Sequence, residues 1–489
     1  MAVVVFLFLY SVLLLLPGYA PLRDVDTFWH IRTGQWILDH AKVPVADFYS
    51  YTAVGEPWIS AQWLAEILFA LAFNIAQWRG VVILSAASFS IIILVECLYL
   101  LRNLRFSVAI GWTALTALVI TPHYVARPHL FSYILLLSWL IILLNSYDSK
   151  DFRPSTPILC FFMIVWANMH GSFTIGLALF YIFAWFSCYE KFAQRDYSRC
   201  RDILLMSLAV SVSALATPYG ARSTLLILRL MNMKFVMAHT NEWLSPNFQA
   251  YPVFLWYLVA IFSVIAGLGV QLRGPRLVAF CMMMFLGLTH VRGLLMLFLV
   301  TPIILARPLS ARAGWLRPRQ LVHGLSPEKD EALDPVLSYL QKRTVRMPAI
   351  FLTLATVVTA YSWHEINIGP PQSLSPKSAI DFVRTTGIKG NVFNSHVFGG
   401  YLIFEGIPTF IDSRTPPYTE EFVRRYLNAV TLRDINDAFR LLDEYKVSWV
   451  LLSPGEPLNK VLARSAQWEQ LYSDNYSVVF VRRGTSYYF

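Results

Sequence analysis

The chain has 489 residues, 56% of them hydrophobic and 14% charged, where soluble domains carry about 25% charged residues; this excludes an ordinary soluble globular protein. Its net charge of +10 is spread in short clusters between apolar runs, which speaks against nucleic acid and for membrane orientation signals, with membrane lipids as neighbours. Five cysteines, Cys97, Cys160, Cys188, Cys200 and Cys281, lie in or beside apolar runs without a CxxC pair, which argues against a disulfide framework or a zinc site.

Residues 1–20 are apolar without a basic start and read as a retained first span. Directly after them comes Asp24-Val-Asp26-Thr-Phe-Trp-His30. Carboxylates beside a bilayer cost roughly 2.5–3.5 kcal/mol each if fully inserted, so Asp24, Asp26 and His30 are functional candidates. Residues 61–77 follow the loop signal Gly55-Glu-Pro57 and read as an interfacial or re-entrant helix within an outer loop, 21–79. Further spans are expected at 80–101, 106–121, 130–146, 155–168, 172–188, 203–218, 251–271, 276–290, 293–306 and 345–361. The stretch Arg222–Lys234 reads as an amphipathic helix on lipid headgroups. A turn at His290-Val-Arg292 divides 276–306 in two, giving eleven spans in a domain over 1–361.

With a cytoplasmic N-terminus, the dense basic clusters, from Arg102 and Arg105 to the long stretch Arg307–Arg346, all fall on one side. The rarer polar groups then share the opposite face: Asp24, Asp26 and His30; His123, Arg127 and His129; Asn168 and His170; Asn241 and Glu242; His290 and Arg292. Residues 365–489 form a separate outer domain, opened by Gly369-Pro-Pro371. Strand-like runs at 391–394, 408–411, 447–452 and 476–482 alternate with helical patterns at 376–386, 418–428 and 432–444, the signature of a small α/β domain. The sequence contains no P-loop, GxGxxG, GxSxG or HExxH motif.

Arg and protonated His suit phosphate oxygens, and a carboxylate suits proton abstraction or a divalent cation. A lipid-linked phosphosugar offers partners for all of them. The run from Asp24 to Arg32, with Val43-Pro44, Asp47 and Gly55-Glu-Pro57, resembles the first outer loop of GT-C glycosyltransferases, and most of all that of the catalytic subunit of oligosaccharyltransferases. Arg127-Pro-His129 falls where these enzymes place a second acidic motif, with His129 in the place of the acid. Gly399-Gly400-Tyr401 and Ile411-Asp412-Ser-Arg414 are similar in layout to their Trp-Trp-Asp-Tyr-Gly region, although the Trp-Trp-Asp triplet that reads an acceptor Asn is absent.

The resemblance implies a polytopic α-helical membrane protein of GT-C-like fold with a small C-terminal α/β periplasmic domain. It implies Asp26 as the catalytic carboxylate, with Asp24 assisting, and a divalent cation, Mg or Mn, on the pair. Expected substrate- and phosphate-binding residues are His30, Arg127, His129, His170, Glu242, His290, Arg292, Gly399, Gly400, Tyr401, Asp412 and Arg414. The expected activity is sugar transfer, with inversion, from a polyprenyl-phosphate-linked donor to a glycan, lipid or protein acceptor at the outer face of a bacterial inner membrane. En bloc oligosaccharide transfer and a non-catalytic glycan transporter or scaffold are the alternatives.

Overall fold

The computed structural model describes residues 20–250, 252–316 and 368–485, with isolated positions 9, 10, 13 and 357. The spans expected at 1–20 and 345–361 lie outside the described residues, those positions and Ala20 apart, as does most of Arg307–Arg346.

Helix α1 (Asp26–His40) opens the first loop, and its Asp26 amide, one of the free amides of the first turn, donates to Asp24 Oδ1 (2.8 Å). Helix α2 (Trp63–Asn103) joins the expected interfacial helix to the span after it. Ala76 and Gln77 leave helical geometry between the two parts and kink it. Then follow α3 (Phe106–Ile120), α4 (His129–Asp148), α5 (Thr156–Met169), α6 (Phe173–Ala193) and α7 (Tyr197–Ser213). An amphipathic α8 (Ala221–Asn232) and a short α9 (Lys234–Ala238) precede α10 (Pro252–Gly267), α11 (Pro275–Thr289) and α12 (Val291–Arg312).

Among the described residues, α2, α3 with the turn after it, α4, α6 and α12 are long and apolar enough to cross a membrane, and α5, α10 and α11 are shorter apolar helices. Helix α7 covers residues 203–213 of the span expected at 203–218 and carries Arg199, Arg201 and Asp202 in its first two turns. The turn expected at His290 is present: its backbone is extended, between the end of α11 and the start of α12.

The C-terminal domain comprises α13 (Lys377–Thr385), β1 (Asn391–Asn394), α14 (His396–Phe404), α15 (Glu420–Val430), α16 (Ile435–Glu444), β2 (Val447–Leu452), α17 (Leu458–Leu462), β3 (Trp468–Ser473) and β4 (Val478–Arg482). Its four strands run in the order β1-β2-β4-β3, with β1 parallel to β2 and the other pairs antiparallel. One face of the sheet packs on α15 and α16 through Tyr426, Leu441 and Val450, the other on α13 and α14 through Ile380, Leu402 and Trp449. The strand expected at 408–411 is absent. Thr409 makes a single parallel bridge to Ser50, and the chain then turns into side-chain hydrogen bonds around Asp412. Strand β3 is an addition to the expected set; as an edge strand with Glu469 and Gln470 exposed it lacks an alternating pattern.

The first loop is built into this domain. Phe28 of α1 is buried in the core formed by α13, α14 and the sheet, with Tyr401 5.4 Å away at an edge angle of 75°. Arg414, 1% exposed, donates to both oxygens of Asp412 (2.9 and 2.7 Å) and to Asp47 of the loop (2.7 Å). Its guanidinium lies over Trp58 (4.5 Å) and Tyr49 (4.9 Å).

Candidate functional site

Three chain breaks meet at one end of the helical bundle: the start of α1, the loop before α4, and the turn Asn241–Trp243 beside the start of α12. Thr27 Oγ1 donates to the Ala126 carbonyl (3.0 Å) and the Ala126 amide to the Pro21 carbonyl (2.7 Å), which ties the loop carrying Arg127 to the start of α1. Arg127 then places its guanidinium among three carboxylates. It pairs closely with Asp26 and with Glu242, and Asp24 Oδ2 lies 3.4 Å from it. Glu242 also meets Arg292 (3.3 Å), whose guanidinium stands 5.7 Å from the Trp243 ring centre. Three acids and two guanidiniums thus form one cluster, with the side chain of Asp26 10% exposed and that of Asp24 15%.

The two aspartates differ in acidity. Burial pushes both up. For Asp24 the opposing pull of Arg127 is insufficient, with Asp26 and Glu242 adding to the rise, and it sits at about 6. For Asp26, Arg127, His30 and hydrogen bonds from Ser413 and Trp29 outweigh burial and hold it at about 2. Glu242 is held low, burial being outweighed by Arg127 and Arg292.

Three expected histidines surround the cluster. His129 is buried, and its Nε2 has no hydrogen-bond partner among the described residues. The Ser172 amide donates to His170 Nδ1 (3.1 Å), which puts the ring proton on Nε2; burial, then Arg292 and Arg127, hold His170 well below the usual histidine range, so it is neutral. His290 Nδ1 donates to the Trp243 carbonyl (2.8 Å).

Other expected site residues do different work. His30 turns inward: it is 1% exposed, with Nδ1 3.2 Å from Glu66, which also accepts from Ser60 (2.6 Å). Its ring lies against Trp29 at 3.8 Å and supports it from behind. Gly399 and Gly400 sit inside α14, where each admits a close approach of another segment's backbone. A Cβ on Gly399 would stand 2.4 Å from the Ile411 carbonyl oxygen, and one on Gly400 2.2 Å from that of Val25. Tyr401 packs on Phe28. Asp412 and Arg414 satisfy each other, with Asp47, in the buried network that fastens the first loop to the C-terminal domain.

Trp29 and Ser413 are additions to the expected set. Trp29 Nε1 donates to Asp26 Oδ1 (3.0 Å) and reaches Ser413 Oγ (3.1 Å). Trp29 lies one turn after Asp26 and was within reach of sequence reasoning, whereas the Ser413 contact spans 384 positions and leaves no local signal.

The divalent cation expected on Asp24 and Asp26 does not fit this arrangement. Both carboxylates, with Glu242, converge on the Arg127 guanidinium, and among the described residues no group of three His, Cys, Asp or Glu side chains could hold a metal ion.

No family model and no curated protein matches the chain. Solved structures do. The Archaeoglobus fulgidus oligosaccharyltransferase AglB, in complex with an inhibitory peptide and a dolichol-phosphate, is similar at 12% identity and a TM-score of 0.55, over 92% of this chain and 69% of that one. The oligosaccharyltransferase from the same organism in its apo form gives 10% and 0.54 over the same shares. ArnT from Cupriavidus metallidurans, bound to undecaprenyl phosphate, gives 13% and 0.51 over 97% of both chains. At these identities the likeness is one of fold: a multi-pass helical membrane domain of GT-C type with a small C-terminal domain.

Proposed function

With a GT-C fold as premise, we propose that the protein is a glycosyltransferase. It moves a sugar from a polyprenyl-phosphate-linked donor to an acceptor hydroxyl at the outer face of a bacterial inner membrane, with its N-terminus cytoplasmic and its C-terminal domain periplasmic. The observation that carries this reading is the cluster of Asp24, Asp26, Arg127, Glu242 and Arg292 at the end of an apolar bundle. An apolar bundle suits the lipid tail, guanidiniums suit the phosphate, and carboxylates suit the proton released by the acceptor. The similar structures solved with dolichol-phosphate and undecaprenyl phosphate support the choice of donor class.

In this reading the donor phosphate draws Arg127 and Arg292 away from Asp26 and Glu242. Burial then acts on Asp26 without its main counterweight, and its proton affinity rises. The acceptor oxygen attacks the anomeric carbon while the bond from that carbon to the phosphate oxygen breaks, and the electron pair leaves on the polyprenyl phosphate. The acceptor proton passes to the Asp24–Asp26 carboxylate pair. Attack opposite the leaving group inverts the anomeric configuration.

The test is ligand-induced stabilisation of the purified protein in detergent. Undecaprenyl phosphate is expected to raise the melting temperature well above the shift given by undecaprenol, and Arg127→Ala and Arg292→Ala to remove the difference. Each lost charge-assisted hydrogen bond is worth roughly 1.5–3 kcal/mol. Equal shifts from phosphate and alcohol in all three proteins would leave only tail binding and contradict the proposal.

A further inference from the structure

A second polar feature lies along α1. A cavity of about 280 Å³ opens between the C-terminal half of this helix, the first loop at Phe48 and Tyr49, and the turn after α14 at Gly406, Ile407 and Pro408. Small-molecule pockets run from about 300 to 1,000 Å³, so this one has room for a single ring-sized group.

Its chemistry is mixed. Trp36 and His40 stack at 4.5 Å and 17°, and Phe48 lies 4.9 Å from Trp36 and is 40% exposed. Arg32 and Asp39 line the same cavity, and among the described residues neither side chain makes an ion pair or hydrogen bond. Flat apolar faces beside unengaged donors and acceptors match a sugar ring, which has an apolar C–H face and a rim of hydroxyls.

The cavity and the carboxylate site share helix α1, with packed side chains between them: Thr33 is buried against Tyr49, and Trp29, Trp58 and Ile403 form a buried apolar cluster. Asp26, Trp29, Thr33, Trp36 and His40 recur at helical spacing on one face of α1. Ring contacts continue from Trp29 to Trp58 (6.4 Å), Trp58 to Phe48 (6.2 Å) and Phe48 to Trp36. Ten residues of helix separate Trp36 from Asp26, about 15 Å at 1.5 Å per residue. None of the membrane-spanning helices lines the cavity, so it suits a water-soluble portion of a substrate and not a lipid tail.

We propose that this cavity is a carbohydrate subsite that holds a sugar ring remote from the reacting centre. The proposal rests on the glycosyltransferase reading and names a substrate class for it: one partner in the reaction is an oligosaccharide. That partner is either the acceptor or the outer sugars of a lipid-linked donor.

The test is photo-crosslinking of the full chain in its native membrane. Phe48 is replaced by p-benzoylphenylalanine in one protein and Trp243, beside Arg292, in another. The adduct at 48 is expected to release sugars on fragmentation and to be lost when Trp36→Ala is added. A sugar adduct without lipid phosphate identifies the acceptor, and one carrying polyprenyl phosphate identifies the donor. No adduct at 48, or only phospholipid or peptide there, overturns the subsite. If position 243 still captures a polyprenyl phosphate in that case, the subsite falls alone. If position 243 captures none, the transferase reading falls with it.

Discussion

The Cα of Gly400 lies so near the Val25 carbonyl that a Cβ there would stand 2.2 Å from the oxygen. A helix of the C-terminal domain therefore rests on the peptide between the two aspartates, and the domain sets the position of the site. Alanine normally stabilises a helix interior over glycine by about 1 kcal/mol. At 400 the sign reverses, because the obstructing atom is backbone and overpacking costs about 1–3 kcal/mol. Gly400→Ala is expected to lower the melting temperature. Gly111→Ala in α3, where a Cβ meets nothing within 4 Å, is expected to leave it unchanged or raise it. Equal effects from the two substitutions would remove the contact from the account.

Arg414 is expected to be structural. Removing it leaves Asp412 and Asp47 buried without their cation, a loss of about 3–5 kcal/mol for a broken buried pair. Arg414→Ala should melt well below the parent protein. Arg414→Lys should recover little, since an ammonium has no planar fork for the two carboxylates and stacks poorly on Trp58. Calorimetry or a dye-based melt checks this, and a normal melt for Arg414→Ala would contradict it.

Transfer should depend on pH through Asp24. Its carboxyl sits at about 6, so below that pH it is protonated and accepts no further proton; the rate rises as pH passes upward through about 6 and levels above it. Asp26, at about 2, contributes no limb in that range in the free protein. The pH profile of kcat/KM should lose this limb in Asp24→Asn. A limb near pH 6 that persists in that variant would take Asp24 out of the proton path.

Much of this was legible in the sequence, and the boundary has a physical basis. Apolar runs and their breaks are local, so the division at His290 and the amphipathic stretch at 222–234 could be read directly. The kink at Ala76–Gln77 lies at the expected junction of interfacial helix and span. The gathering of Asp24, Asp26, Arg127, Glu242 and Arg292 followed from placing all of them on one face, although no spacing rule pairs Arg127 with Glu242 across 115 positions. His30, Asp412 and Arg414, expected at the substrate, find partners within the protein, which the sequence does not show for one reason. Polarity marks a residue as needing a partner without saying whether that partner is substrate or protein, and Glu66 and Asp47 are distant in sequence. Gly399-Gly400 stood out as a motif, but the backbone each glycine admits belongs to another segment.

The central claim is that the carboxylate cluster transfers sugar from a lipid phosphate, and the most direct measurement is turnover by purified Asp26→Asn. The substitution keeps the size of the side chain and its contact with Trp29 while removing the negative charge and the proton-accepting capacity. Release of polyprenyl phosphate from a polyprenyl-phosphate sugar donor is followed for the parent and the variant. The account predicts a loss on the order of 10²–10⁴ with an unchanged fold by circular dichroism. Near-parental turnover by the folded variant would contradict it.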